Sequence, residues 1–115
     1  MKIYHYAKCS TCRDALKFLD GRGVRYTPVE IDNTPPSKSE LKKMLKYYDG
    51  NLRRLFNTSG LVYKELGLKE KLSTLTEDQA LELLSSNGKL VKRPFVLGDA
   101  FGMVGFAKDE WNKRF

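Results

Sequence analysis

Residues 2–20 read KIYHYAKCSTCRDALKFLD, and both cysteines of the chain, Cys9 and Cys12, fall inside this stretch. Lys2 to Tyr6 alternates in the manner of a half-buried strand, whereas from Ser10 to Leu19 the apolar positions Cys12, Ala15, Leu16 and Leu19 return at helical spacing. The pair therefore sits at a strand-to-helix junction. A thiolate there meets the unpaired amides of a helix N-terminus, so the CSTC run reads as a redox site. Two cysteines three residues apart close too small a loop to staple a fold. A reactive dithiol in a reducing compartment, the cytoplasm, is the expectation.

Working outward, Gly21 and Gly23 stop the first helix and Val24 to Ile31 supplies a second strand, completing a β-α-β opening. Pro35 and Pro36 break the chain before Ser37, which caps a helix through Leu41, Met44 and Leu45. Leu52, Leu55 and Phe56 predict another helix after the Asp49-Gly50 turn, ending in Asn57-Thr58-Ser59-Gly60. Val62 to Leu66 is ambiguous. Thr76, Glu77, Ala80, Leu81, Leu83 and Leu84 mark a clearer helix. Strand sequence resumes at Phe95 to Leu97 and Met103 to Phe106, and Asp109 to Phe115 closes as a short helix. The order predicts an α/β, thioredoxin-like fold, a mixed β-sheet flanked by helices with a helical insertion at about 36–86, in one domain over 1–115. Pro94, just before a returning strand, suits an edge or turn position and is open to either isomer.

At 115 residues and 41% hydrophobic composition the chain suffices for a single core. No run approaches the roughly 20 apolar residues of a membrane span, and the start has no long apolar centre of a secretory signal, so no membrane partner is expected. The 21 Lys and Arg against 14 Asp and Glu give a formal charge of +7. That balance favours anionic substrates or acidic partners, or simply solubilises the surface. The basic residues are scattered, without a polybasic arm or an aromatic-interleaved stripe, so direct nucleic-acid binding is not expected. One histidine and two cysteines make no zinc set, and no phosphate-loop or dinucleotide fingerprint occurs, so no tightly bound cofactor is implied. His5 either tunes Cys9 or, by strand alternation, points away from it.

The segments YHYAKCSTCRDAL, TPPSKSEL, NTSGLVYKELGL, KRPFVLG and VGFAKDEW, in this order, resemble the arsenate reductase and Spx-like (ArsC-like) family across nearly the whole chain. The resemblance implies that Cys9 is the redox nucleophile and that Pro94 faces it, with Cys12 as the resolving thiol. Lys8, Arg13 and the helix N-terminus are expected to stabilise the Cys9 thiolate, and Lys8 and Arg13 to bind substrate together with Arg93. Arg93 matches one oxyanion-binding arginine of classical arsenate reductases. Asn57 stands where a second is expected, Arg53 and Arg54 fall about one helical turn too early to replace it, and GMVGF lacks a third. The CSTC pair is more similar to Spx-like proteins, where dithiol oxidation changes interaction with RNA polymerase, and Gly50 corresponds to a glycine of the polymerase-binding surface. Glycine there also reads as a plain turn residue. The expected activity is thiol-disulfide exchange, with glutathione and glutaredoxin, thioredoxin or another thiol as external reductant; the alternative is a redox-responsive regulator bound to RNA polymerase.

Overall fold

A computed structural model describes residues Met1–Phe115. Its chain order is β1 (Lys2–His5), α1 (Ser10–Gly21), β2 (Thr27–Glu30), α2 (Lys38–Tyr47), a 3-10 turn (Leu52–Leu55), α3 (Leu61–Glu65), α4 (Leu68–Lys71), a second 3-10 turn (Leu72–Thr74), α5 (Glu77–Ser86), a third (Gly88–Leu90), β3 (Phe95–Leu97), β4 (Gly102–Val104) and α6 (Lys108–Arg114). The four strands form one mixed sheet in the order β2-β1-β3-β4, with β1 parallel to β2 and antiparallel to β3, and β3 antiparallel to β4. The thioredoxin-like α/β architecture and the helical insertion between β2 and β3 match the sequence reading.

Strand alternation sorts the core onto the two faces of this sheet. Ile3, Val96 and Met103 point to one side, where they meet Ala15 and Leu19 of α1 and Trp111 of α6. Tyr4, Phe95 and Val104 point to the other, against Leu41, Met44 and Leu45 of α2 and Ala80, Leu81 and Leu84 of α5. The two long insert helices begin on capping boxes, Ser37 with Glu40 and Thr76 with Gln79, which satisfy amides that the first turn leaves unpaired. Glu40 does more than cap. Its carboxylate accepts from Tyr4 Oη at 2.7 Å and from Lys2 Nζ at 3.1 Å, tying α2 to β1. Burial opposes its charge, but the bonds from Tyr4, the Ser37 backbone and Lys2 outweigh that and hold the carboxyl below its usual range.

Several boundaries depart from the sequence reading. The second strand starts at Thr27 rather than Val24, after Gly23 in the left-handed region (φ +66°) has turned the chain and Val24 N–H has paired back to Leu19. Pro28 is tolerated within it because β2 lies at the sheet edge, where a missing donor faces outward. The last strand stops at Val104 rather than Phe106, since Gly105 adopts φ +76° and redirects the backbone. Leu52 to Leu55 forms a 3-10 turn instead of an α-helix. Leu68–Lys71, which the sequence reading left unassigned, is a separate short helix because Gly67 at φ +64° interrupts the segment. No helix is long and apolar enough to cross a membrane.

Candidate active site

The chain leaves β1 and turns at once. Cys9 N–H donates to Tyr6 O at 2.9 Å, and Cys9 itself becomes the N-cap of α1, with φ −95° and ψ 114°. Its sulfur accepts the Cys12 amide at 3.3 Å, filling the place usually taken by a Ser, Thr or Asp oxygen. Helical geometry then carries Cys12 inward, next to Ala15 and Leu19 among the buried positions of α1, and leaves it 1% exposed. Both thiols are free, and Cys9 is half-buried. Burial, followed by the hydrogen-bonding contact with Cys9, pushes the Cys12 thiol up to about 12, against the opposing pull of the Tyr6 backbone and, last, of the Arg93 charge.

This asymmetry has a measurable result. Iodoacetamide at neutral pH should label Cys9 and spare Cys12 until the chain is unfolded, as read by mass spectrometry of the peptides; equal labelling would mean that Cys12 is accessible. The same displacement fixes a pH dependence. With a folded value of about 12 against an ordinary 9.0, the neutral thiol contributes its full stability below pH 9, and that contribution is lost as pH climbs from 9 towards 12.

Cys9 opens on a cleft of about 610 Å³ whose polar and apolar walls come from distant parts of the chain, including Asn57, Ser59, Lys92, Arg93 and Phe106. One long-range zipper explains the assembly. Phe56 bridges Val91, Asn57 N–H donates to Leu90 O at 2.7 Å and Lys92 N–H to Leu55 O at 2.9 Å, so the Asn57 turn and the Lys92-Arg93 pair are laid side by side. The turn is close-packed, since a Cβ on Gly60 would lie 2.6 Å from Asn57 Nδ2. The Arg93 guanidinium carbon sits 5.1 Å from the Tyr6 ring centroid, a cation-π distance. Pro94, joined to Arg93 by a cis peptide bond, is buried directly behind, and its carbonyl accepts from Gly105 N–H at 2.9 Å.

The structure thus brings Cys9 and Arg93 to one cleft, with Cys12 and Pro94 buried beside it. Lys8 and Arg13 do not line it. Arg13 donates instead to Ala7 O at 2.9 Å, which draws its guanidinium back along the loop, and Lys8 is exposed. His5 is also outside the lining. Arg53 donates to Tyr63 Oη at 2.8 Å and Arg54 stacks over Tyr48 at 4.6 Å, so neither enters the cleft. Gly50 follows Asp49 in a left-handed turn (φ +80° and +55°) and belongs to a separate groove beside Lys42, Lys46 and Glu77. Lys92, which the sequence reading does not single out, also lines the cleft; its adjacency to Arg93 is the available signal, but the loop that carries it is placed by distant pairing, Lys92 N–H to Leu55 O. No carboxylate lines the cleft, so its charge is positive.

Comparison with known proteins agrees with this architecture. The ArsC family pattern matches residues 4–114. The uncharacterized protein YusI of Bacillus subtilis is 43% identical over 99% of this chain and 97% of its own, and an arsenate reductase of Neisseria meningitidis is 35% identical over 91% and 89%. The global transcriptional regulator Spx of Streptococcus mutans is 28% identical over 89% of this chain and 73% of its own. A crystal structure of an ArsC family related protein from Bacteroides fragilis superposes with a TM-score of 0.91 at 44% identity, covering 97% of this chain and 94% of that one. A cysteine at a helix N-cap, a mixed four-stranded sheet and a match from Tyr4 to Arg114 establish that the chain belongs to the ArsC family, as a redox-active ArsC/Spx-like protein.

Proposed function

We propose that the protein is a thiol-disulfide oxidoreductase in which Cys9 is the nucleophile and Cys12 the resolving thiol. The carrying observation is the difference between two thiols three residues apart: one lines a cationic cleft and accepts a helix amide, the other lies buried behind it. The Cys9 sulfur is held at the α1 N-terminus by that amide. Attack of this thiolate on a substrate disulfide breaks the S–S bond, joins one half to Cys9 and expels the other as a thiolate. Cys12, giving up its proton, then attacks the Cys9 sulfur, forms the Cys9–Cys12 disulfide and releases the second half. Two electrons from an external thiol, glutathione with glutaredoxin or thioredoxin, restore the pair.

Arg93 and Lys92 supply the charge that holds an anionic group of the substrate, while Lys8 and Arg13 add only long-range positive potential at the mouth. Arg93→Ala is expected to lower kcat/KM for an anionic disulfide by about tenfold to a hundredfold, with a much smaller effect on an uncharged one. Equal losses would mean that Arg93 supports the loop rather than the substrate. Asn57, a neutral amide in the cleft, and the absence of a cation at Val104 to Phe106 argue against tight capture of a highly charged tetrahedral oxyanion.

The test is reduction of arsenate and of a small organic disulfide by the purified protein, with the glutathione-glutaredoxin and thioredoxin systems supplied in parallel. Disulfide turnover that depends on Cys9 supports the proposal; arsenate turnover would make this an oxyanion reductase with a reduced set of cations. A second reading rests on the CSTC pair together with the likeness to Spx: a redox-responsive regulator that binds RNA polymerase through the exposed Gly50 turn. Absence of both turnovers, with saturable polymerase binding that changes on oxidation of the pair, would put that reading first.

A further inference from the structure

The sheet order leaves β4 at an edge. Gly98 N–H donates to Phe101 O and Gly105 N–H to Pro94 O, so in the β3–β4 ladder Met103 turns its backbone groups towards β3 while Gly102 and Val104 turn theirs away. The outward amide of Val104 is only partly buried from solvent, and it has one partner. It donates to the hydroxyl of Tyr48 at 2.9 Å, 56 residues earlier in the chain. Tyr48 directly follows α2, and the Arg54 guanidinium lies over its ring, 4.6 Å from the centroid. Tyr48 itself does not line the Cys9 cleft, whereas Val104, Gly105 and Phe106 do.

We propose that Tyr48 is a positioning residue for this cleft, its hydroxyl fixing the Val104 amide so that Val104, Gly105 and Phe106 stand as a rigid wall beside the reacting sulfur. The wall needs such an anchor because Gly105, at φ +76°, lies in the middle of it and glycine resists no rotation there. Its other tether, Gly105 N–H to Pro94 O, runs towards β3 and leaves the outer edge unrestrained. Removing the hydroxyl leaves a donor at the end of an edge strand without its acceptor, and loosens the backbone at Val104 and Gly105, with the packing of Phe106 on Trp111 and Phe18 as the remaining restraint. This role rests on the oxidoreductase reading for its kinetic consequence but not for its structural one.

The experiment uses the full chain with Tyr48→Phe, which keeps the ring on Arg54 and removes one oxygen. The Val104 amide should exchange with solvent about tenfold faster, and the amide signals of Gly105 and Phe106 should shift, while those of β1 stay in place. KM for a cleft-filling disulfide should rise severalfold with little change in kcat, and Cys9 alkylation by iodoacetamide, which needs only the sulfur, should keep its rate. Unchanged Val104 exchange overturns the proposal, and so does faster exchange with an unaltered KM, which would leave the bond a purely structural one. Absence of turnover in the wild type would sink the oxidoreductase reading alone; the Gly105 and Phe106 signals, read on the same sample, still decide the role of Tyr48.

Discussion

Cys12→Ser should accumulate a stable covalent adduct with its substrate, whereas Cys9→Ser should form none and fall to the uncatalysed background. The asymmetry follows from where the two sulfurs lie. The Cys9 sulfur borders the cleft and is the one that a substrate can reach, so a serine there removes the only accessible thiol. In Cys12→Ser the first displacement is intact, but the mixed disulfide has no neighbouring thiol to resolve it. Intact-mass measurement after exposure to a small disulfide reads the result directly: wild type lighter by two hydrogen atoms, Cys12→Ser heavier by one half of the reagent, Cys9→Ser unchanged. An adduct on Cys9→Ser would reverse the assignment. Because burial pushes the Cys12 thiol up, adduct resolution in the wild type should also quicken as pH rises from neutrality, each unit increasing the small thiolate fraction.

Trp111→Ala should cost about 3–5 kcal/mol of stability, a large part of the roughly 5–15 kcal/mol that a domain of this kind has to lose. The indole is fully buried, and it is the centre of an aromatic cluster on the α1 and α6 side of the sheet. Phe106 meets it edge-on at 4.9 Å, Phe115 at 5.5 Å and Phe18 at 6.0 Å. This side has few buried residues to share the loss, since Ile3, Ala15, Leu19, Val96 and Met103 complete its core. Urea denaturation followed by circular dichroism would measure the change. A cost below about 1 kcal/mol would mean that α6 is not part of the cooperative unit. Trp111→Phe should be milder than its size suggests, because the indole Nε1 is buried without a hydrogen-bond partner and its removal relieves a standing penalty.

Local signals explain how much of this was legible in the sequence. The apolar spacing of Cys12, Ala15 and Leu19 gave α1, the Ser37 cap and the Thr76-Glu77 pair marked the starts of α2 and α5, and the cysteine pair marked the candidate site. Each of these is decided within one or two turns of chain. The strand ends were misplaced because positive φ at Gly23 and Gly105, not side-chain pattern, sets them. The partners of Cys9 were less legible still. Lys92 meets the Asn57 turn through the Phe56–Val91 bridge and the two backbone hydrogen bonds that flank it, and Arg13 is withdrawn by a carbonyl in its own loop. Neither contact has a local signature, since both depend on backbone groups that every residue carries.

The edge-on contact between Phe106 and Trp111 has a further use. Phe106 borders the Cys9 cleft, and Trp111 is the sole tryptophan of the chain, so excitation at the red edge of the indole band, where the tyrosines do not absorb, addresses a single emitter packed on one wall of that cleft. The molecule therefore carries its own optical gauge, and the two half-reactions of the proposed mechanism are expected to register on it in a stopped-flow instrument with unlabelled protein.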